Sequence, residues 1–151
     1  MVARLPPGTK LREVTTELKE PLSFSDCKVV IVAVGHMDLE VHNSIFMDEY
    51  RQVLDFVRRY NPACHLILCG TLPTHEESRQ HRMSAYKSGR IRDHAKNNPK
   101  AEFFDAYSKL QVNRRIPEEY VCNGLLNALG LRNFVVSVGH KIASVQDIWK
   151  K

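Results

Sequence analysis

An unbroken apolar run near the beginning of the chain constrains the fold more than any other feature. All six residues of Val29–Val34 are apolar, and five of the six are β-branched. A short run of this kind is typical of a strand buried on both faces, in the middle of a parallel sheet. The run ends at Gly35 and is followed by the polar residues His36 and Asp38. Because ligands of open α/β sheets bind outside the carboxyl ends of the strands, we expect part of any functional site to lie here.

Other strands and helices alternate along the rest of the chain. The additional predicted strands are His65–Cys69, Glu102–Asp105 and Asn133–Val138. Helical periodicity is clearest between residues 43 and 60, where the apolar stripe consists of Phe46, Tyr50, Val53, Leu54 and Val57. Further helices are predicted over residues 9–21, 76–97, 117–130 and 143–151. This alternation predicts one α/β domain over residues 1–151, with a mostly parallel sheet covered by helices on both faces.

Length and composition exclude several classes of protein. The 151 residues suit one domain, and no apolar run approaches the ~20 residues that a membrane span needs. The first ten residues lack the apolar core of a signal peptide. We therefore expect an intracellular protein of the cytoplasm or nucleus that makes no contact with a membrane. The formal net charge of +5 favours anionic partners, although only mildly.

The four cysteines do not form a metal-binding motif. Cys64 and Cys69 bracket His65, but this spacing is poor for zinc, and Cys27 and Cys122 do not provide a second pair. Scattered cysteines in apolar contexts are typical of buried thiols in a reducing compartment. We therefore expect free thiols, no metal site and no other cofactor.

Four motifs, taken in order, carry a resemblance to a known family. They are Leu5-Pro6-Pro7-Gly8-Thr9 before a helix, Val29–Asp38 with its terminal Gly-x-x-Asp, Leu66–Pro73 (LILCGTLP), and Phe103-Phe104-Asp105. Their order and spacing over about residues 5–130 resemble the SGNH (GDSL-type) hydrolases. The resemblance implies a flavodoxin-like, three-layer α/β/α fold. In that family, a serine in a Gly-Asp-Ser motif hydrolyses esters.

The departures from the family pattern fall on the catalytic residues. No Gly-Asp-Ser strand precedes the four motifs. Met37 occupies the position of the asparagine that donates to the oxyanion, and a thioether cannot donate a hydrogen bond. The nearest counterpart of the family's Asp-x-x-His pair is Asn123–Leu126, which offers neither the acid nor the base. The resemblance thus implies an SGNH-like domain that has lost hydrolysis.

The C-terminal segment Phe134–Ile142 looks like the family's first strand. Gly139, His140 and Lys141 then stand where Gly-Asp-Ser would. A doubly wound sheet that lacks an interior strand leaves backbone groups unpaired. We therefore expect the C-terminal strand to lie beside Val29–Val34, as in a circular permutation. The alternatives are an extra edge strand or a chain cut from a longer one.

Six residues at predicted carboxyl ends of strands are candidates for a pocket. They are Gly35, His36, Asp38, His75, Asp105 and His140. They could bind a polar ligand or form an acid–base pair. In the alternative, Asp38 holds backbone N–H groups of its loop and the histidines are solvated. Ser137 and Ser144 lie near His140 in sequence, but no acid has a suitable spacing for a triad.

A basic segment and a second basic pair are candidates for nucleic-acid binding. The residues are Arg79, Arg82, Lys87, Arg90, Arg92, Lys96, Arg114 and Arg115, with Tyr86 and Tyr107 as stacking surfaces. Such a track binds RNA or DNA through its phosphates. The segment also contains three acidic residues, Glu76, Glu77 and Asp93. The alternative to a nucleic-acid interface is therefore a solvated helix face of mixed charge. The expected function is an inactive domain that binds RNA or a protein partner. The alternatives are an esterase whose serine-bearing strand lies outside this chain and a homo-oligomerising scaffold.

Overall fold

Short strands alternate with helices through the first 110 residues, as the sequence pattern predicts. The computed structural model describes residues 9–18, 25–71, 79–113, 115–122 and 125–149. The elements are a 3-10 turn at Leu11–Glu13, α1 (Val14–Glu17), β1 (Val29–Val32), α2 (Asn43–Tyr60), β2 (His65–Cys69), α3 (Arg79–Lys96), β3 (Ala101–Phe104), α4 (Ala106–Leu110), a 3-10 turn at Glu118–Tyr120, β4 (Val121–Cys122), β5 (Leu125–Leu126) and α5 (Ala128–Trp149).

The main sheet is parallel, and its central strand is β2. The order is β1-β2-β3, with Val30 beside Leu66 and Leu68 beside Phe103. The prediction that Val29–Val34 forms the centre is therefore wrong for the described residues. The strand ends at Val32, and it is only half-buried up to that residue. Two apolar runs of similar length do not show which one has neighbours on both sides.

One face of the sheet packs against α1, α2 and α3. The predicted stripe of α2 is confirmed, because Phe46, Tyr50, Val53, Leu54 and Val57 are all buried. These side chains share a core with Leu66 and Leu68 of β2, and with Leu11 and Val14 from the beginning of the described chain. Asn61 caps the end of α2 just before Pro62, where the sequence predicts the helix to stop.

The other face of the sheet packs against α5. Ile67, Cys69 and Phe104 share a second core with Val138, and Phe134 and Ile142 pack against it. Successive residues of a strand point to opposite faces, which explains why neighbouring residues of β2 belong to different cores. Helices therefore cover both faces, and the predicted three-layer α/β/α class is confirmed.

The prediction of a strand over Asn133–Val138 is wrong. These residues lie inside α5, so the segment Phe134–Ile142 cannot add a strand beside Val29–Val34. Phe134, Val138 and Ile142 recur every four residues, which is also the spacing of a helical stripe. The side chain of Asn127 accepts the N–H of Gly130 at 3.0 Å, which satisfies one of the open donors at the beginning of the helix.

The prediction of a helix opened by Pro117 is also wrong. A 3-10 turn follows this proline, and β4 and β5 then pair as an antiparallel two-stranded sheet. Gly130, the last residue of that predicted helix, lies in the first turn of α5 instead. A β-carbon at Gly130 would lie 2.5 Å from the carbonyl oxygen of Tyr120, so a glycine lets α5 pack closely on the preceding turn.

An ion-pair cluster joins α5 to the sheet. Glu102 of β3 is 2.6 Å from Nε2 of His65 on β2, and Lys141 of α5 donates to the other carboxylate oxygen at 3.0 Å. Partial burial raises the pKa of Glu102, but the hydrogen bonds from Lys141 and His65 outweigh burial, so the pKa lies below its ordinary value. Lys141 stands at the position of the family's catalytic serine in the sequence comparison. In the structure its ammonium instead links α5 to β3 through Glu102.

No helix among the described residues combines the length and apolar character needed to cross a membrane. None of the four cysteines, all of which are described, forms a disulfide. Cys64 and Cys69 are buried as expected, whereas Cys122 is exposed. Burial raises the pKa of Cys69 to about 12, so this thiol stays protonated at neutral pH.

Two glycines of α5 provide a matched test of this helix. A β-carbon at Gly139 has no heavy atom within 4 Å, so Gly139→Ala should raise the free energy of unfolding by about 0.5–1 kcal/mol. Gly130→Ala should lower it by more than ~1 kcal/mol, because the new methyl group collides with backbone. Chemical denaturation measures both. A destabilising Gly139→Ala would contradict the helical assignment.

Candidate functional site

The loop after β1 is packed tightly at the carboxyl edge of the sheet. Gly35 has a positive φ of 106°, a conformation that L side chains rarely adopt. A β-carbon there would lie 2.9 Å from the ring of Phe46 and 3.5 Å from Cγ2 of Thr71. The glycine thus brings the loop against both α2 and Thr71, two residues beyond the end of β2.

Asp38 anchors the beginning of the described chain. Its side chain is 2% exposed, and Oδ2 accepts the backbone N–H of Leu11 at 3.0 Å. The N–H of Asp38 donates to the carbonyl of Gly35, which closes the turn between them. From the sequence, Asp38 could either line a pocket or hold backbone N–H groups. The structure shows the second role, although the bound N–H belongs to a distant segment.

Lys87 is buried between α3 and α2 and is not part of an exposed basic surface. Its side chain is 2% exposed, its ammonium donates to Oδ1 of Asn43 at 2.9 Å, and it lies 5.2 Å from the ring centroid of Phe46. Burial lowers the pKa of Lys87, and the charges of Asp38 and Glu40 oppose this effect. The assignment of Lys87 to a phosphate-binding track is therefore incorrect, because the ammonium is directed inward. Spacing could have revealed this, since Lys87 falls in the inner stripe of α3 with Ser84, Ile91 and Ala95.

Hydrogen bonds between hydroxyl groups join Thr71, beyond the end of β2, to α3. The sequence does not predict this contact. Thr71 Oγ1 donates to the carbonyl of Ser84 at 3.0 Å, and Ser84 Oγ donates to the carbonyl of Thr71 at the same distance. Ser88 Oγ lies 3.2 Å from Thr71 Oγ1. Ser84 is 1% exposed, so its hydroxyl is part of the packing and not an accessible nucleophile.

The remaining pocket candidates that the structure describes lie on different elements. Asp105 caps α4 by accepting the N–H and the hydroxyl of Ser108 at 3.2 and 2.7 Å. His140 lies on α5 and not at the end of a strand, which corrects the prediction. His36 does follow β1, and the residue is exposed. Partial desolvation lowers the pKa of its imidazole, and the charge of Asp38 opposes this effect. His75 lies outside the described residues.

The outer face of α3 carries an exposed basic row. Arg82, Arg90, Arg92 and Lys96 are exposed, and Tyr86 is 66% exposed. Arg82, Tyr86 and Arg90 follow one another at spacings of four residues, so they are neighbours on the helix surface. Arg92 lies over the ring of Phe103, 5.6 Å from its centroid. Arg114 and the side chain of Arg79 lie outside the described part, whereas Arg115 is exposed on a separate turn.

A shallow groove of about 400 Å³ runs beside Tyr86 on this face. It is lined by Ala85, Tyr86, Gly89, Arg90 and Asp93. Tyr107, the other predicted stacking residue, is half-buried, so Tyr86 is the better placed of the two. Among the described residues, no three His, Cys, Asp or Glu side chains form a group that could hold a metal ion.

Comparisons with known proteins support the fold. No protein-family model matches the chain, and no curated protein matches it by sequence. A solved structure described as "a putative platelet activating factor from Streptococcus pneumonia" matches with a TM-score of 0.68 and 17% sequence identity. The match covers 76% of this chain and 59% of that chain, so the chain spans about three-fifths of its structural neighbour. At this identity the likeness shows the fold alone, which is a flavodoxin-like three-layer α/β/α arrangement.

The role of Asp38 can be tested by removing its carboxylate. Asp38→Ala leaves the buried N–H of Leu11 without its partner and should lower the free energy of unfolding by about 1–3 kcal/mol. Asp55→Ala, which removes an exposed carboxylate from α2, is the matched control and should change it by less than ~0.5 kcal/mol. Hydrogen exchange should also accelerate in residues 11–17 of the Asp38 variant. Equal effects of both substitutions would contradict the anchoring role.

Proposed function

We propose that the chain is an SGNH-like domain that does not hydrolyse esters and binds single-stranded RNA through the outer face of α3. The observation that carries this proposal is the exposed row of Arg82, Tyr86 and Arg90. Guanidinium groups bind phosphates in a bidentate manner, and an exposed tyrosine ring offers a face on which a base can stack. Arg92 and Lys96 extend the positive charge along the same helix.

The contacts at the carboxyl edge support the loss of hydrolysis. Met37, at the position of the family's oxyanion donor, is exposed and cannot donate. The carboxylate of Asp38 binds the N–H of Leu11, so it is engaged in holding the fold. Ser137 and Ser144 donate to the carbonyls of Asn133 and Lys141 in their own helix, and no histidine accepts from either hydroxyl in the described contacts.

An assay with p-nitrophenyl acetate tests the absence of hydrolysis. We expect the protein to release p-nitrophenol no faster than an equal concentration of its Ser137→Ala/Ser144→Ala variant. Both serines are bonded within α5, so the substitutions should leave the fold intact. Saturable turnover that the double variant loses would contradict the proposal and favour the esterase alternative.

Salt dependence tests RNA binding. We expect an unstructured 20-nucleotide RNA, followed by fluorescence anisotropy, to bind more weakly as salt rises from 50 to 200 mM. Arg82→Gln/Arg90→Gln should weaken binding and reduce the slope of log affinity against log salt by about 1.4, since each phosphate contact on a single strand contributes roughly 0.7.

A charge-matched variant controls for the net charge. Arg59→Gln/Arg132→Gln removes two exposed arginines that lie on α2 and α5 and not on α3. This variant should keep both the affinity and most of the salt slope. Absence of salt-dependent binding, or equal losses in the two double variants, would overturn the assignment of the interface to α3.

A further inference from the structure

The groove beside Tyr86 has room that the fold itself does not require. Gly89 lies in the interior of α3, where glycine is less favourable than alanine because of its backbone entropy. A β-carbon at Gly89 would meet Arg92 Nη2 at 3.6 Å, which is an ordinary contact. Packing thus gives no reason for a glycine at this position, in contrast to Gly35, where a β-carbon would lie 2.9 Å from the ring of Phe46.

The side chains around the groove differ in the chemistry that they offer. Tyr86 is 66% exposed, and the small residues Ala85 and Gly89 line the same groove. Arg90 supplies a cation at one side, and Arg82 lies one turn before Tyr86. Asp93, which also lines the groove, supplies an anion on a face that is otherwise basic. A carboxylate repels phosphate, so its position suits the edge of a base and not the backbone of the nucleic acid.

We infer that this groove takes one unpaired base that carries an exocyclic amino group, stacked on Tyr86 with the amino group donating to Asp93. This inference rests on the proposed function and names the nucleic acid for the same surface. Adenine, cytosine and guanine present such an amino group on the edge used for pairing, whereas uracil has none and presents two carbonyl oxygens on either side of its ring N–H. In a duplex, each base is stacked between its neighbours and its pairing edge is occupied. It can therefore neither stack on Tyr86 nor donate to Asp93, so a duplex can bind only through its phosphates.

The probes that test the inference are 12-nucleotide oligo(C) and oligo(U) RNA and a 12-base-pair RNA duplex, measured at one salt concentration. The protein should bind oligo(C) about five- to tenfold more tightly than oligo(U). Tyr86→Leu should weaken oligo(C) binding about tenfold, as expected for loss of one base–aromatic stack, and should leave duplex binding unchanged. Because Tyr86 is largely exposed, this variant should fold normally.

Two further variants separate the groove from the basic row. Gly89→Ala should unfold at a higher temperature than the wild type and yet bind oligo(C) at least threefold more weakly, because its methyl group occupies the groove. Asp93→Asn should bind oligo(U) at least as tightly as the wild type and lose the preference for oligo(C). Improved stability with unchanged binding in Gly89→Ala would show that the groove is unoccupied and would overturn the inference.

The outcomes for the two proposals differ. Absence of binding to every probe overturns the proposed function and the inference with it. Salt-dependent binding that needs Arg82 and Arg90, but is equal for oligo(C), oligo(U) and duplex, supports the proposed function and overturns the inference. Loss of the oligo(C) preference in Tyr86→Leu and Asp93→Asn, with duplex binding retained, supports both.

Discussion

The enclosure of β2 between two parallel strands and two helical layers is the constraint on which the rest of the structure depends. Leu66 and Leu68 lie in one core, Ile67 and Cys69 lie in the other, and all four are 1% exposed or less. Backbone groups buried in this way must be paired within the protein, and β1 and β3 provide the partners. Because the strand is fixed, Thr71 beyond its end is held where it can bond to α3.

That attachment determines which face of α3 meets the solvent. Ser84 bonds to Thr71, and Lys87 reaches Asn43 at the beginning of α2, so the helix cannot rotate without breaking buried polar contacts. Leaving a buried ammonium without a partner is costly, and the amide oxygen and the nearby Phe46 ring offset part of this cost. The polar groups at the carboxyl edge are therefore engaged in packing, while the opposite face of α3 carries the exposed charges.

The sequence specifies the first part of the fold well because several signals agree there. The stripe of α2 continues over about three helical turns, and the runs at Val29–Val34 and His65–Cys69 each stop at a glycine. The segment Phe134–Val138 is ambiguous, since a short apolar run suits either a buried strand or a buried helix. What decides between them is the uncovered face of the sheet, on which Phe134 and Val138 pack. A local pattern does not contain that information.

The candidate site shows the same limit for charged residues. Composition identifies the basic segment, but only the phase of α3 separates buried Lys87 from exposed Arg82 and Arg90. The spacing of Ser84, Lys87, Ile91 and Ala95 indicates that phase, whereas the hydroxyl contact to Thr71 that holds it has no signature in the sequence. The division also explains why the two faces of α3 can differ in role. The inner face of α3 holds the fold together, so residues on the outer face can change their chemistry with little effect on stability. The glycine at position 89 fits this view, because it costs helix stability at a site where no packing demands it.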